Sequence, residues 1–124
     1  MKEPLRYLNN ANEILKKASI DNGIYTDIKP VMEAFGIAYL AILEAIDEAL
    51  IKRGLTHKEL PRSVDAYRKA LQKYLSAHNG KLLKEFESLY NLIHIAGYYR
   101  KLLNRVDIVK DALKAARLFI EKVK

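Results

Sequence analysis

The chain of 124 residues contains no cysteine, so it can form neither disulfides nor thiolate metal sites. An intracellular, cytoplasmic location is therefore the expectation. The first ten residues contain no apolar run and do not have the pattern of a signal peptide. In the most apolar segment, the longest uncharged stretch covers only the ten residues from Ala34 to Leu43, whereas a membrane span needs about 20. We expect a protein without a membrane partner.

Several sequence patterns that mark catalytic and cofactor sites are also missing. The chain has no Glu-x-x-His pair of the kind that binds metals in helical bundles, and no His-x-x-x-His pair that would suggest zinc. It has no glycine-rich phosphate loop and no Gly-x-Ser-x-Gly nucleophile elbow. We therefore predict no metal site, no cofactor and no catalytic residues, which favours a non-catalytic protein without settling the question.

Positive charge is concentrated in the second half of the chain. Residues 1–53 carry seven basic and eight acidic side chains, a net charge of −1, whereas residues 54–124 carry fifteen and seven, a net charge of +8. Such asymmetry is typical of surfaces that bind anions or nucleic acids. It is equally typical of a solvated, lysine-rich surface that keeps a protein soluble, and we favour this second interpretation.

The segment from Pro30 to Arg53 is apolar on more than one side. Its alanines recur at steps of three or four and form one narrow stripe: Ala34, Ala38, Ala41, Ala45 and Ala49. A stripe of larger side chains lies beside it: Phe35, Tyr39, Ile42, Ile46 and Leu50. A helix with this pattern is normally buried between several others, so we predict that it is the centre of the fold.

Four further segments have helical periodicity, and none alternates as a half-buried strand does. The predicted helices are Pro4–Ala18, Pro61–Ala77, Lys81–Leu103 and Asp107–Lys122, with Asp107 as a possible N-cap. Short connections between helices favour antiparallel neighbours. The predicted fold is all-α: residues 1–124 form a single domain, a four- to five-helix antiparallel up-and-down bundle. We expect the helix from Lys81 to Leu103 to pack on the alanine stripe.

Turn residues predict where these helices begin and end. Asp21-Asn22-Gly23 is expected to end the first helix, and Asp27 to cap the second, which starts at Asp27 or Pro30. Gly54 is the expected C-cap of the second helix. His78-Asn79-Gly80 is the expected end of the third. Tyr25, the one large apolar side chain in its connection, is expected to pack on the bundle.

One row of polar side chains lies along the helix from Lys81 to Leu103. It consists of Glu87, Tyr90 or Asn91, His94, Tyr98 and Lys101, at steps of three or four residues. In a pocket, His94 could act as an acid or base, with Tyr98 beside it. The row can also be the partly exposed edge of a helix that is buried on its other sides. We favour the partly exposed edge, since no carboxylate is placed to orient the imidazole.

The end of the same helix combines aromatic and basic groups. We predict that a ligand or partner would contact residues at or near this end: His94, Tyr98, Tyr99, Arg100, Lys101 and Arg105. Aromatic rings beside cations stack on bases and neutralise phosphates, and they also form the hot spots of protein interfaces. Because no RNA-binding motif is present, we rank packing or dimerisation first.

The first half of the chain resembles the opening of HEPN-type helical domains. The resemblance lies in YLNNANEILKKA, in Gly23 and Tyr25, and in the following helix AYLAILEAIDEALIKRG. The sequence is most similar to a small uncharacterised bacterial family catalogued as a domain of unknown function, over Leu5 to Gly54. The resemblance implies a small helical bundle that dimerises, with a nucleotide-linked role. HEPN nucleases use an Arg followed four to six residues later by a His. Here only three residues separate Arg53 from His57, so no nuclease residue carries over.

Three functions follow as hypotheses. The first is a non-catalytic bundle that forms a homodimer or binds another protein. The second is a HEPN-like accessory domain that binds RNA or a nucleotide through the basic second half. The third, which we rank last, is an enzyme that uses His94 and Tyr98.

Overall fold

The computed structural model describes residues 2–75 and 80–124, and in these residues the chain is a bundle of five helices with one very short hairpin. The elements are α1 (Lys2–Lys16), β1 (Ile20–Asp21), β2 (Ile24–Tyr25), α2 (Ile28–Lys52), α3 (Val64–Tyr74), α4 (Lys81–Leu89) and α5 (Val106–Val123). A 3₁₀ turn, His57–Glu59, precedes α3, and a π-helix, Tyr90–Tyr99, continues α4. The predicted all-α bundle is confirmed.

Helix α2 lies at the centre of this bundle. The five alanines of its predicted stripe are all buried, as are Phe35, Ile42, Ile46 and Leu50. Its most extensive backbone packing is against α1, followed by the π-helix and α5. The fourth helix also packs on α2, and its predicted contact with the alanine stripe itself stays a prediction. That helix does reach α2 through its π-helical half, but α1 packs along α2 more extensively.

Both ends of α2 and the connection before it have the features that the sequence predicts. The Asp27 side chain caps the helix and accepts a hydrogen bond of 3.0 Å from the backbone N–H of Lys29. Gly54, just past the C-terminus, has a φ of +102°, a conformation that favours glycine. Tyr25 is buried against the bundle, as expected.

The stretch predicted to end the first helix instead forms a hairpin. Strands β1 and β2 pair antiparallel, and Asn22 and Gly23 between them have φ of +51° and +75°. Two residues with positive φ are the signature of the tight turn that Asn-Gly favours, and the sequence interpretation missed this signal. Helix α1 therefore ends at Lys16, two residues earlier than predicted.

The hairpin also determines where the fourth helix ends and the fifth begins. The Tyr25 N–H donates to the Asn104 carbonyl over 2.8 Å, and the Val106 N–H donates to the Gly23 carbonyl over 2.9 Å. Because the backbone of 104–106 pairs with the hairpin, it cannot continue a helix, and the π-helix ends at Tyr99 rather than at Leu103. Arg105 occupies the N-cap position of α5, so the predicted cap at Asp107 was wrong.

Helix α3 begins later than the predicted Pro61. Ser63 is its N-cap, and the Ser63 hydroxyl accepts a hydrogen bond of 3.1 Å from the Ala66 N–H. A serine cap satisfies a backbone donor, which Pro61 cannot do. The described part of α3 ends at Tyr74. The predicted end at Ala77 and the stop at His78-Asn79 lie outside the described residues. No helix in the described ranges is long and apolar enough to cross a membrane.

Lengthening an alanine of the buried stripe should destabilise the fold. We expect Ala41→Leu or Ala45→Leu to lower the free energy of unfolding by about 1–3 kcal/mol, since both positions are fully buried beside closely packed backbones. Urea denaturation measures the change. Lys29→Leu adds a leucine at an exposed position of the same helix and should stay within about 0.5 kcal/mol of the parent. Equal stability of all three variants would contradict the central position of the stripe.

Candidate functional site

A ladder of stacked aromatic rings runs along α4 and the π-helix. Phe86, Tyr90, His94 and Tyr98 follow one another at steps of four residues, with ring centroids 6.4, 5.4 and 5.8 Å apart. The last pair, His94 and Tyr98, is nearly parallel, with an angle of 10° between the rings. At its inner end, Phe86 lies 6.4 Å from Phe119 of α5. The ladder therefore leads from the core to the surface.

Helix α2 contributes a ring to the side of this ladder. The Tyr39 ring stacks on His94 with centroids 4.4 Å apart and lies 6.0 Å from Tyr90. His94 is thus in contact with three tyrosine rings. Such contacts are worth roughly 0.5–1.5 kcal/mol each beyond simple burial. The row predicted as a partly exposed helix edge is half-buried at His94 and Tyr90 and exposed at Asn91 and Tyr98.

Two glycines allow α2 and the π-helix to approach this closely. A Cβ at Gly97 would lie 2.6 Å from the Phe35 ring, and a Cβ at Gly36 would lie 2.9 Å from the Tyr98 ring. Each helix thus places an aromatic ring on the bare backbone of the other. An alanine at either position would force one of these rings to move.

An open groove of about 550 Å³ lies beside the outer end of the ladder. Its lining is mostly apolar, with one carboxylate: Glu33, Gly36, Ile37, Tyr39, Leu40, His94 and Tyr98. We call this the aromatic groove. Leu40 remains 55% exposed and Tyr98 40% exposed, so two large apolar side chains face solvent here. Clustered exposed apolar groups are typical of binding surfaces.

The charge state of the groove is governed by burial. Burial lowers the pKa of His94 below its ordinary value and so favours the neutral imidazole. Burial, with a contribution from Tyr90, raises the pKa of Tyr39 to about 12. Within the described residues, His94 has ring contacts but no carboxylate hydrogen-bond partner. The geometry therefore provides an aromatic surface with one carboxylate, Glu33, in its lining, and no group that would orient His94 as a base.

The six predicted contact residues fall into three places. His94 and Tyr98 line the aromatic groove. Tyr99, Arg100 and Lys101 are exposed where the π-helix ends, with Tyr99 exposed by 73%. Arg105 lies in a separate depression beside the hairpin and forms an ion pair of 2.8 Å with Asp107. The structure thus groups the first two, places the next three just beyond them, and separates Arg105.

A second polar cluster connects α2, α3 and α4, and the sequence interpretation missed it. The Tyr67 hydroxyl donates to Asp47, 3.0 and 3.2 Å from the two carboxylate oxygens. Arg68 lies over the Tyr90 ring at 5.3 Å and pairs with Glu87 at 2.6 Å. A signal was available, since Asp47 is flanked one turn away by Leu43 and Leu50 on the most apolar helix of the sequence.

Burial perturbs the titration of this cluster. It raises the pKa of Asp47 to about 6, against a smaller opposing effect of the Tyr67 hydrogen bond. Burial together with Asp47 raises the pKa of the Tyr67 hydroxyl, which stays protonated and donates the hydrogen bond.

No group of three or more His, Cys, Asp or Glu side chains that could hold a metal ion occurs in residues 2–75 and 80–124.

The stability of the protein should depend on pH through Asp47. Because its pKa is about 6 when folded, against 3.8 for a free carboxyl, the folded state binds more protons between these pH values. The contribution of Asp47 to the free energy of unfolding is therefore greatest at low pH and declines as pH rises through 6.

We expect Asp47→Asn, which keeps an acceptor for Tyr67, to be more stable than the parent at pH 7 by on the order of 1 kcal/mol, given partial solvent screening. The gain should shrink towards pH 4. Urea denaturation at both pH values measures it, with the exposed Asp111→Asn as a control that changes little. A loss of stability in Asp47→Asn that is the same at both pH values would contradict the role of burial.

Comparison with known proteins places the whole chain in one family. Residues 1–124 match the family described as Domain of unknown function (DUF5618). A solved structure of similar fold is a protein of unknown function from Dyadobacter fermentans, 30% identical, with a TM-score of 0.76 over 98% of this chain and 89% of that chain. No curated protein matches. The resemblance to a family of unknown function is confirmed, and the HEPN likeness stays a prediction. The protein belongs to the DUF5618 family.

Proposed function

We propose that this protein is a non-catalytic binding module that forms a homodimer through the aromatic groove. The observation that carries the proposal is the groove itself, an apolar concavity in which Leu40 and Tyr98 stay largely exposed. Burying such side chains at an interface contributes a favourable free energy of roughly 25 cal/mol per Å² of apolar surface removed from water. Tyrosine is also enriched among the residues that dominate binding energy at interfaces.

The shape of the groove suits a second copy of the same chain. In a two-fold dimer, the same patch faces itself, so a residue that projects from one copy must fit a recess on the other. Leu40 projects from α2 at the side of the groove, and the Tyr98 ring covers the bare backbone of Gly36 within it. The exposed Leu40 of one protomer can therefore enter the groove of its partner.

The charges around the groove support the same arrangement. Glu33 lies on the α2 side, while Arg100 and Lys101 follow Tyr98 at the end of the π-helix. A two-fold contact can bring the acidic side of one copy to the basic side of the other. Exposed pairs of this kind contribute only about 0–1 kcal/mol each, so they set orientation more than affinity. The predicted likeness to HEPN-type domains, which often dimerise, is in line with this proposal.

A charge at Leu40 should convert the dimer to a monomer. We expect Leu40→Glu to remain folded, because the side chain is exposed, and to elute as a monomer where the parent elutes as a dimer. Size-exclusion chromatography with light scattering measures the mass, and circular dichroism checks the fold.

The matched control for this test is Leu118→Glu. Leu118 is exposed by 51% on α5, outside the aromatic groove, so its variant should still dimerise. A parent protein that is monomeric at its highest soluble concentration would overturn the homodimer. Dissociation by Leu118→Glu but not by Leu40→Glu would move the interface to another face.

A second candidate function is the binding of RNA or a nucleotide at the end of the π-helix. Tyr99 is 73% exposed and is followed directly by Arg100 and Lys101. An exposed ring beside two cations offers a stacking face and phosphate neutralisation together. This candidate accounts for the basic second half of the chain, although Arg105 belongs to another depression and is paired with Asp107.

This second candidate makes a salt-dependent prediction. If single-stranded RNA binds here, Tyr99→Ala should weaken binding by about tenfold, since stacking is worth roughly 1–3 kcal/mol per base. Affinity should fall as salt rises. Filter binding with labelled oligonucleotides over a salt series measures both effects, and Arg105→Ala should change the affinity less than Tyr99→Ala. No binding at low salt would exclude this function.

A further inference from the structure

A second groove lies between α4 and α5, outside the aromatic groove. It has a volume of about 430 Å³ and combines an apolar floor with a basic rim. The apolar lining consists of Leu89, Leu92, Ala115, Leu118 and Phe119, and the polar lining of Lys81, Lys84, Glu85, Ser88 and Lys122. We call this the lysine-rimmed groove. We propose that it binds an acidic amphipathic helix of a partner protein.

The apolar floor has the form that a helix requires. Leu89 and Phe119 are buried at its base, whereas Leu118 stands 51% exposed at its side. The lining runs along α4 and into the π-helix from Lys81 to Leu92, which is about 16 Å at the helical rise per residue. That length fits about three turns of a docked helix, which would present apolar residues at i, i+3 or i+4 and i+7.

The charge of the rim selects an acidic partner. Three lysines and one glutamate surround the floor, and Lys122 is paired with Glu85 at 2.9 Å. Within the described residues, Lys81 and Lys84 form no ion pair. A smaller depression of about 310 Å³ adjoins the groove and shares Lys81, Glu85 and Lys122 with it. The uncompensated positive charge therefore lies at one end of the groove.

The start of α4 adds to this positive end. Its first turn contains no acidic residue, and its N-cap, Gly80, has no side chain that could cap the helix. The N-terminus of a helix carries a partial positive charge that favours nearby anions. A partner helix with leucines along its centre and carboxylates at one end complements both the floor and this end of the groove.

Two other occupants fit the groove less well. Phe119, its one aromatic residue, is buried, so the groove has no exposed ring on which a nucleic-acid base could stack. A membrane surface takes up apolar groups that project from a protein, whereas this floor is recessed between two helices. The recessed floor with a basic end is the arrangement that receives an amphipathic helix.

The test uses a fluorescein-labelled designed peptide of about four helical turns, with leucines at i, i+3 and i+7 and glutamates at one end. A second peptide has the same leucines, with lysine in place of each glutamate. Fluorescence anisotropy with the full chain should show saturable binding of the acidic peptide, weakened by salt. The lysine peptide should bind at least about tenfold more weakly.

Two variants assign the binding to the groove. Leu118→Glu and Lys84→Glu should each reduce the affinity for the acidic peptide by about tenfold or more. Lys69→Glu, an exposed lysine of α3 that does not line the groove, is the matched charge control and should have little effect. Lys84 is exposed, so its variant keeps the test decisive if Leu118→Glu folds poorly.

Several outcomes would overturn the proposal. These are no binding of the acidic peptide, equal binding of both peptides, or full affinity in Lys84→Glu. If the protein binds neither peptide but sediments with vesicles of phosphatidylglycerol and phosphatidylcholine, the groove would instead be assigned to a membrane surface. The result is independent of the homodimer, because Leu118→Glu tests peptide binding here and retains the dimer if the first proposal holds.

Discussion

The close packing of α2 against its neighbours is the constraint on which the rest of the structure depends. Ten residues of this helix are buried, and half of them are alanines. Helix α1 packs along α2 more extensively than any other element does, and both the small and the large side chains of the two stripes are largely buried. Because packing in protein interiors leaves few voids, each neighbouring helix has little freedom to shift along α2.

The contact between α2 and the π-helix shows how this constraint produces a surface. Phe35 lies on Gly97 and Tyr98 lies on Gly36, so the two backbones approach through glycines while the rings interlock. Segments of π-helix occur frequently at functional sites. Here the segment keeps His94 and Tyr98 stacked and directs the ladder towards the aromatic groove. The groove is therefore a consequence of core packing, and its open side is the one face of α2 that carries Glu33 and Leu40.

Much of the fold could be predicted from local patterns. The 3.6-residue periodicity identified every long helix, and Asp27 and Gly54 marked the ends of α2, because caps and left-handed glycines are determined by neighbouring residues. The hairpin at Asn22-Gly23 could also have been predicted from the sequence, but the Asn-Gly pair was interpreted as the end of a helix. The early end of the π-helix could not be predicted locally, since it depends on pairing between Gly23 and Val106, far apart in the chain.

The candidate sites likewise contain features that neighbouring residues predict and features that only helix packing explains. The sequence by itself determined the helical fold class, the buried stripes of α2 and the four-residue spacing that aligns His94 with Tyr98, because these follow from side chains close along the chain. Only the tertiary structure decided that Tyr39 stacks on His94, that Tyr67 donates a hydrogen bond to Asp47, and that Arg105 lines a depression beside the hairpin. Those contacts depend on which helices pack together and at what offset, and that choice rests on the summed burial of the whole chain rather than on any local pattern.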